Sequence, residues 1–127
     1  MKEFLKRLGF GSAAWNAWRR EHPETVIVLD HAELNGMILT GIDFAGVSLR
    51  GASLHATNLM NADLRGADLT GADLTEADLI CANLAGAILS GARFVEADFL
   101  GASLGGAHYS PEDLRGALHV PTRVEER

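Results

Sequence analysis

The sequence predicts an all-β solenoid, on three observations. From 32 to 111 the chain divides into sixteen consecutive five-residue blocks without an insertion, such as Ala62-Asp63-Leu64-Arg65-Gly66. The third position of every block is Leu, Phe or Tyr, and the first is Ala in twelve of the sixteen. The fifth is Gly in ten blocks, from Gly36 to Gly106. A short period sets the architecture before any local propensity does.

A period of five fits neither standard element. Apolar residues recur three and four apart on a helix and two apart on a strand. Here the apolar pair lies two apart within a block, as in Ala67 and Leu69, and the pattern restarts after five. Each block is thus a short extended piece with both apolar groups on one side, followed by a corner. Glycine suits that corner because it tolerates tight-turn dihedrals. Same-handed corners close extended pieces into a solenoid lined by Ala and Leu, with ladder bonds between coils.

These blocks resemble the pentapeptide-repeat family, whose signature is a small residue, a polar residue, Leu or Phe, then two variable positions. The resemblance covers about eighty residues. It implies a right-handed quadrilateral β-helix with four blocks per coil, hence four coils here. Coils stack at about 4.8 Å, so the regular part is expected to be roughly 20 Å tall. The interior is then a narrow dry core with no room for a ligand.

Both ends of a solenoid need cover. At the start, Ser12 is expected to cap an α-helix running from Ala13 to Glu21 and stopping near His22-Pro23. Trp15 and Trp18 share one face of it and are expected to lie over the first coil as a structural cap. That coil carries Met37, Ile42 and Val47 in place of Ala, which widens the interior beneath them. Residues 14–24, AWNAWRREHPE, resemble the cap helix ahead of the repeats in a subset of bacterial members. A basic segment bearing Trp also allows a membrane or nucleic-acid contact, the lesser reading since the open coil needs apolar cover. Thr25 to Leu29 reads as an extended lead-in strand. At the far end, Ser110-Pro111-Glu112-Asp113 is a helix start, with Leu114 and Leu118 expected to close the last coil. The expected organisation is residues 1–31 for cap and lead-in strand, 32–111 for the β-helix, and 112–127 for a short C-terminal helix and tail.

Composition narrows the function classes. The net charge is −6 over 127 residues, and the repeats to Tyr109 carry three basic and nine acidic groups. Direct nucleic-acid binding is not expected of such a surface. The lone Cys81 forms no disulfide within the chain, which fits a reducing, cytoplasmic setting. No apolar run is long enough for a membrane span, and the opening residues do not read as a secretory signal.

No catalytic constellation is legible. The five histidines have no ligand-like spacing with each other or with Cys81, so neither a metal nor another cofactor is expected. The glycines recur at five because corners do, which excludes a phosphate-cradling loop. Asp63, Asp68, Asp73 and Asp78 look like a ladder of ligands only in one dimension. Successive blocks lie on successive sides, so these carboxylates point apart and are expected beside corner backbone.

What remains is a surface. Residues twenty apart stack on one side, and the fourth block positions Thr40, Met60, Ile80 and Leu100 form a largely apolar column, with Val95 on the neighbouring side. The candidate protein-contact stripe is therefore Met60, Ile80, Leu100 and Val95. The expected function is a non-enzymatic interaction or scaffold module with an unidentified protein partner or, through the stripe, a weak homodimer. The alternative is a DNA-mimicking protector or inhibitor of DNA gyrase, a type II topoisomerase, as some proteins of the resembled family are.

Overall fold

A computed structural model of the chain describes residues 1–121. It opens with two helices, α1 over Lys2–Leu8 and α2 over Ser12–Glu21, where the sequence reading gives one. α1 forms because Phe4, Leu5 and Leu8 fall on one helical face and pack against the core. Ser12 is not the cap of α2. The N-cap is Gly11, at φ 97°, and no side chain bonds to the helix start.

The rest is a stack of parallel bridges between residues twenty apart, from Val28 with Ser48 to Asp98 with Leu118. Twenty residues are four blocks, so consecutive blocks occupy four faces in turn. Face 1 begins with residues 27–31, face 2 with 32–36, face 3 with 37–41 and face 4 with 42–46. Ile27 and Leu29 are buried and Val28 is paired, so residues 27–31 already form a repeat block. They are not a lead-in strand, and the solenoid begins one block ahead of Ala32. Among the described residues no continuous strand forms. Each block commits one residue to the ladder before the chain turns, so the β structure consists of single bridges. Around each bridge the bonds come in pairs: at the Ile38–Asn58 bridge the Asn58 N–H donates to Met37 O at 2.9 Å and the Leu39 N–H to Asn58 O at 2.7 Å.

Each corner from His31 to Gly106 is a turn closed by the next block, as when the Ala62 N–H donates to Leu59 O at 3.0 Å. The fifth residue sits third in that turn, where a type II geometry demands positive φ. Gly71 supplies it at 69°, but Asn61, Glu76 and Cys81 hold about the same angle without being glycine. Their strain is offset by ladder bonds made at the same residue, such as Cys81 N–H to Leu100 O at 2.8 Å. Inside, the Ala and Leu columns form one continuous buried cluster. Thr57 takes an Ala position in that core because its hydroxyl donates to Leu54 O at 2.8 Å.

The two ends are covered differently. At the start, Trp15 is fully buried, with its ring edge-on to Phe44 at 5.6 Å between centroids. Trp18 is only partly buried, between Trp15, Phe4 and the guanidinium of Arg7. At the far end the short C-terminal helix that the sequence predicts takes the form of a single 3₁₀ turn over Pro111–Leu114. Its capping box is present: Ser110 and Asp113 bond reciprocally across the turn. Leu114 packs on the core as expected, but Leu118 does not. It pairs with Asp98 in the ladder, which turns its side chain outward, while Ala117 and Val120 pack inward. The expected tail beyond residue 121 lies outside the described residues.

Candidate contact face

Face 3 carries the stripe. Its second positions are Ile38, Asn58, Asp78, Asp98 and Leu118, joined in sequence by the bridges. The same register sets Thr40, Met60, Ile80 and Leu100 in the fourth positions. Ile38 is 74% exposed and Leu100 53%, whereas Met60 and Ile80 are half-buried. Val95 stands on face 2, 47% exposed, with the backbone of Gly116 close beside it. It is therefore around a corner from the other three. Ile38 and Leu118 extend the apolar surface at both ends of face 3; Leu118 was hidden from sequence reasoning by its assignment to the core.

The backbone of this face is held by its own second-position side chains. Fourth-position N–H groups have no place in the ladder. On face 3 they donate to Asn58, Asp78 and Asp98, from Met60, Ile80 and Leu100 respectively, each at 3.0 Å. The same short loop recurs on face 4 at Asp63 and Asn83 and on face 1 at Asp68. The repeated Asp is thus a turn-forming acceptor, equivalent in that role to Asn. Among the described residues no group of three His, Cys, Asp or Glu is placed to hold a metal ion.

Charge differs between the faces. Arg65 bonds to Asp63 on face 4 and holds that carboxyl below its usual range. Arg19 reaches Asp43 from α2, and Arg50 on face 1 reaches Asp68. Face 3 contains no Lys or Arg. Among the described residues its ion-pair partner is His119, whose Nδ1 lies 2.9 Å from Asp98. That hydrogen bond, then the Leu100 N–H, lowers the Asp98 pKa. His119 takes positive φ (56°), and neither its turn nor its contact has a sequence signal.

Family models for "Pentapeptide repeats" match residues 28–66, 57–94 and 77–108, most of the chain. The chain belongs to the pentapeptide repeat family. Its structural neighbours are right-handed β-helices of that family. A pentapeptide repeat protein from the thylakoid lumen of Arabidopsis thaliana superposes with a TM-score of 0.69 at 28% identity, over 84% of this chain and 75% of its own. HetL, a pentapeptide repeat protein involved in heterocyst differentiation regulation in the cyanobacterium Nostoc, gives 0.57 at 33% identity, over 72% of this chain and 44% of its own. Trypsin-treated QnrB1, a plasmid-mediated fluoroquinolone resistance protein, gives only 0.38 at 25% identity, over 76% and 55%. No curated protein sequence matches the chain. Among the described residues no helix is long and apolar enough to cross a membrane.

Proposed function

We propose that this pentapeptide repeat protein is a rigid four-coil rod that acts as a non-enzymatic protein-interaction or scaffold module and presents face 3 to a protein partner. The observation that carries this reading is the Met60–Ile80–Leu100 column. The solenoid already has a complete buried core, so these apolar side chains on the outside contribute nothing to its interior. They stand in a line on a flat side whose backbone is pinned, which is what a docking surface requires. The involvement of HetL in regulation is in keeping with a role exerted by contact, and nothing more specific passes to this chain. A reducing, cytoplasmic compartment suits the exposed Cys81.

The double change Ile80→Asp with Leu100→Asp tests it. Both side chains lie outside the core, so the variant is expected to fold. Affinity capture from cells of the source organism should return a partner with the wild type and lose it with the variant. Retention of every captured protein by the folded variant would remove face 3 from the proposal.

A second reading, a DNA-mimicking protector of gyrase, rests on the repeat charge of −6. Such mimicry needs carboxylates in continuous lines. Here the acids are spread over all four faces, and Arg19, Arg50 and Arg65 sit against three of them. A supercoiling assay decides it: inhibition or quinolone protection at stoichiometric protein would restore this reading, and no effect at large excess would end it.

A further inference from the structure

We propose that the occupant of face 3 is a basic amphipathic helix of a partner protein, lying along the solenoid axis with its apolar stripe on the Met60–Ile80–Leu100 column and Lys or Arg along one flank. The inference rests on face 3 being the contact face and adds what binds there.

Two observations carry it. The first is charge. Faces 1, 2 and 4 each include an arginine in their repeat blocks, Arg50, Arg93 and Arg65, and face 3 has none. Beside the apolar column stand Asp78 and Asp98, in the same rows as Ile80 and Leu100. The adjoining corner between faces 2 and 3 bears Glu76 and Glu96. Among the described residues only histidines pair with these four carboxylates: His55 with Glu76 at 3.7 Å, and His119 with Asp98. Arg115 lies in the next row of face 2 without an ion pair to them. An apolar surface edged on one side by four carboxylates selects a partner of opposite charge. A second copy of this chain brings four more carboxylates and no Lys or Arg, so self-association is disfavoured.

The second observation is spacing. Side chains in the column repeat with the coils, about 4.8 Å apart. One turn of an α-helix rises about 5.4 Å and returns a side chain to the same face. Over the two steps from Met60 to Leu100 the mismatch is about 1.2 Å, within side-chain reach. An extended peptide repeats about every 6.6 Å and loses register by the second step.

The test uses the full chain and a labelled synthetic helix of about 18 residues with Leu on one face and Lys along one flank. Saturable binding tighter than about 1 mM is expected, weak because the patch is small. Glu76→Gln, Asp78→Asn, Glu96→Gln and Asp98→Asn together should weaken binding about tenfold or more. Folding is protected in this variant because Asn58 and Asn83 already make the same turn bond. Asp68→Asn with Asp73→Asn, on faces 1 and 2, should leave the affinity unchanged. Equal weakening by this control would mean attraction to overall charge and overturn the proposal, as would no saturable binding. A Ser-for-Leu version of the peptide that binds equally well would also overturn it. If Ile80→Asp with Leu100→Asp abolishes binding while the neutralised variant binds normally, face 3 survives as a contact face and the basic helix does not. A concentration-dependent dimer of the wild type, lost with Ile80→Asp, would replace the helix by a second copy.

Discussion

The two ends of the rod face the same physical problem and solve it in different chemistry. An end coil has ladder groups pointing at a coil that is not there. On face 4 at the first coil, α2 supplies side chains in place of backbone. Trp15 Nε1 donates to Asp43 O at 2.8 Å, and an Arg19 nitrogen donates to Asp43 O and Ala45 O. The Asn16 amide works in both directions, accepting from the Asp43 N–H at 2.7 Å and donating to Gly41 O at 2.9 Å. Over these bonds lies an aromatic layer of Phe4, Trp15, Trp18 and Phe44. At the other end one carboxylate serves. Asp113 accepts from the Gly91 N–H at 3.1 Å and from the Ser110 N–H at 2.9 Å, beside a Phe94–Phe99 pair that fills the core below. One end is closed by apolar burial and by bonds from an indole, an amide and a guanidinium that stays charged at any ordinary pH, the other by a short turn and a titratable carboxylate. The first should be the stronger and the less sensitive to pH.

The largest effect expected from that contrast is at Trp15. Trp15→Ala removes a fully buried indole and its hydrogen bond, and should cost about 3–5 kcal/mol in denaturant unfolding. Trp18→Ala should cost less, because Trp18 is only partly buried. Equal costs would mean that the aromatic layer acts as a unit rather than through the indole over Phe44. Next is Asn16→Ala, which strips acceptor and donor from the first coil and should cost about 1–2 kcal/mol; no change in the unfolding midpoint would show that water replaces the amide. At the opposite end, Ser110→Ala breaks the capping box and should cost about 1 kcal/mol. A cost above that of Trp15→Ala would reverse the comparison.

Acid should separate the ends without any substitution. The Ser110 N–H, opposed by burial but joined by the Gly91 N–H and the Ser110 hydroxyl, holds the Asp113 carboxyl below its usual range. A carboxylate lowered on folding stabilises fully above its unfolded pKa, about 4, and loses that contribution as the pH falls through the folded value. Amide exchange protection at Gly91 and Ser110 should therefore decline toward about pH 3, while protection at Asp43 is kept. Asp113→Asn should abolish the difference. The smallest effect is expected at Asp78→Asn, within about 0.5 kcal/mol, because Asn58 and Asn83 make the same turn in neighbouring blocks. A larger loss would mean that the charge itself, not the acceptor, holds face 3.

The five-residue period alone determined the solenoid and its inward Leu and Ala columns, whereas the grouping of outward residues into faces also needed the four-block coil, which the family resemblance implies and the bridges between residues twenty apart display. The period could do so because each block meets the same two demands, two apolar groups inside and a turn every fifth residue. What else the period could not determine lies where the blocks stop. Leu118 reads as a core residue from its apolar character, yet its bridge with Asp98 turns it outward and Val120 packs instead. α1 carries too few apolar residues to signal itself, and packs because the open first coil offers Phe4, Leu5 and Leu8 a surface. The non-glycine corners at Asn61, Glu76 and Cys81 take strained angles that no local preference demands, held by bonds to the next coil. The cation-free character of face 3 is likewise tertiary, because residues twenty apart share an environment only once the four-sided winding has brought them together. A repeat encodes its own interior, whereas its ends and the chemistry of its faces depend on contacts made across coils.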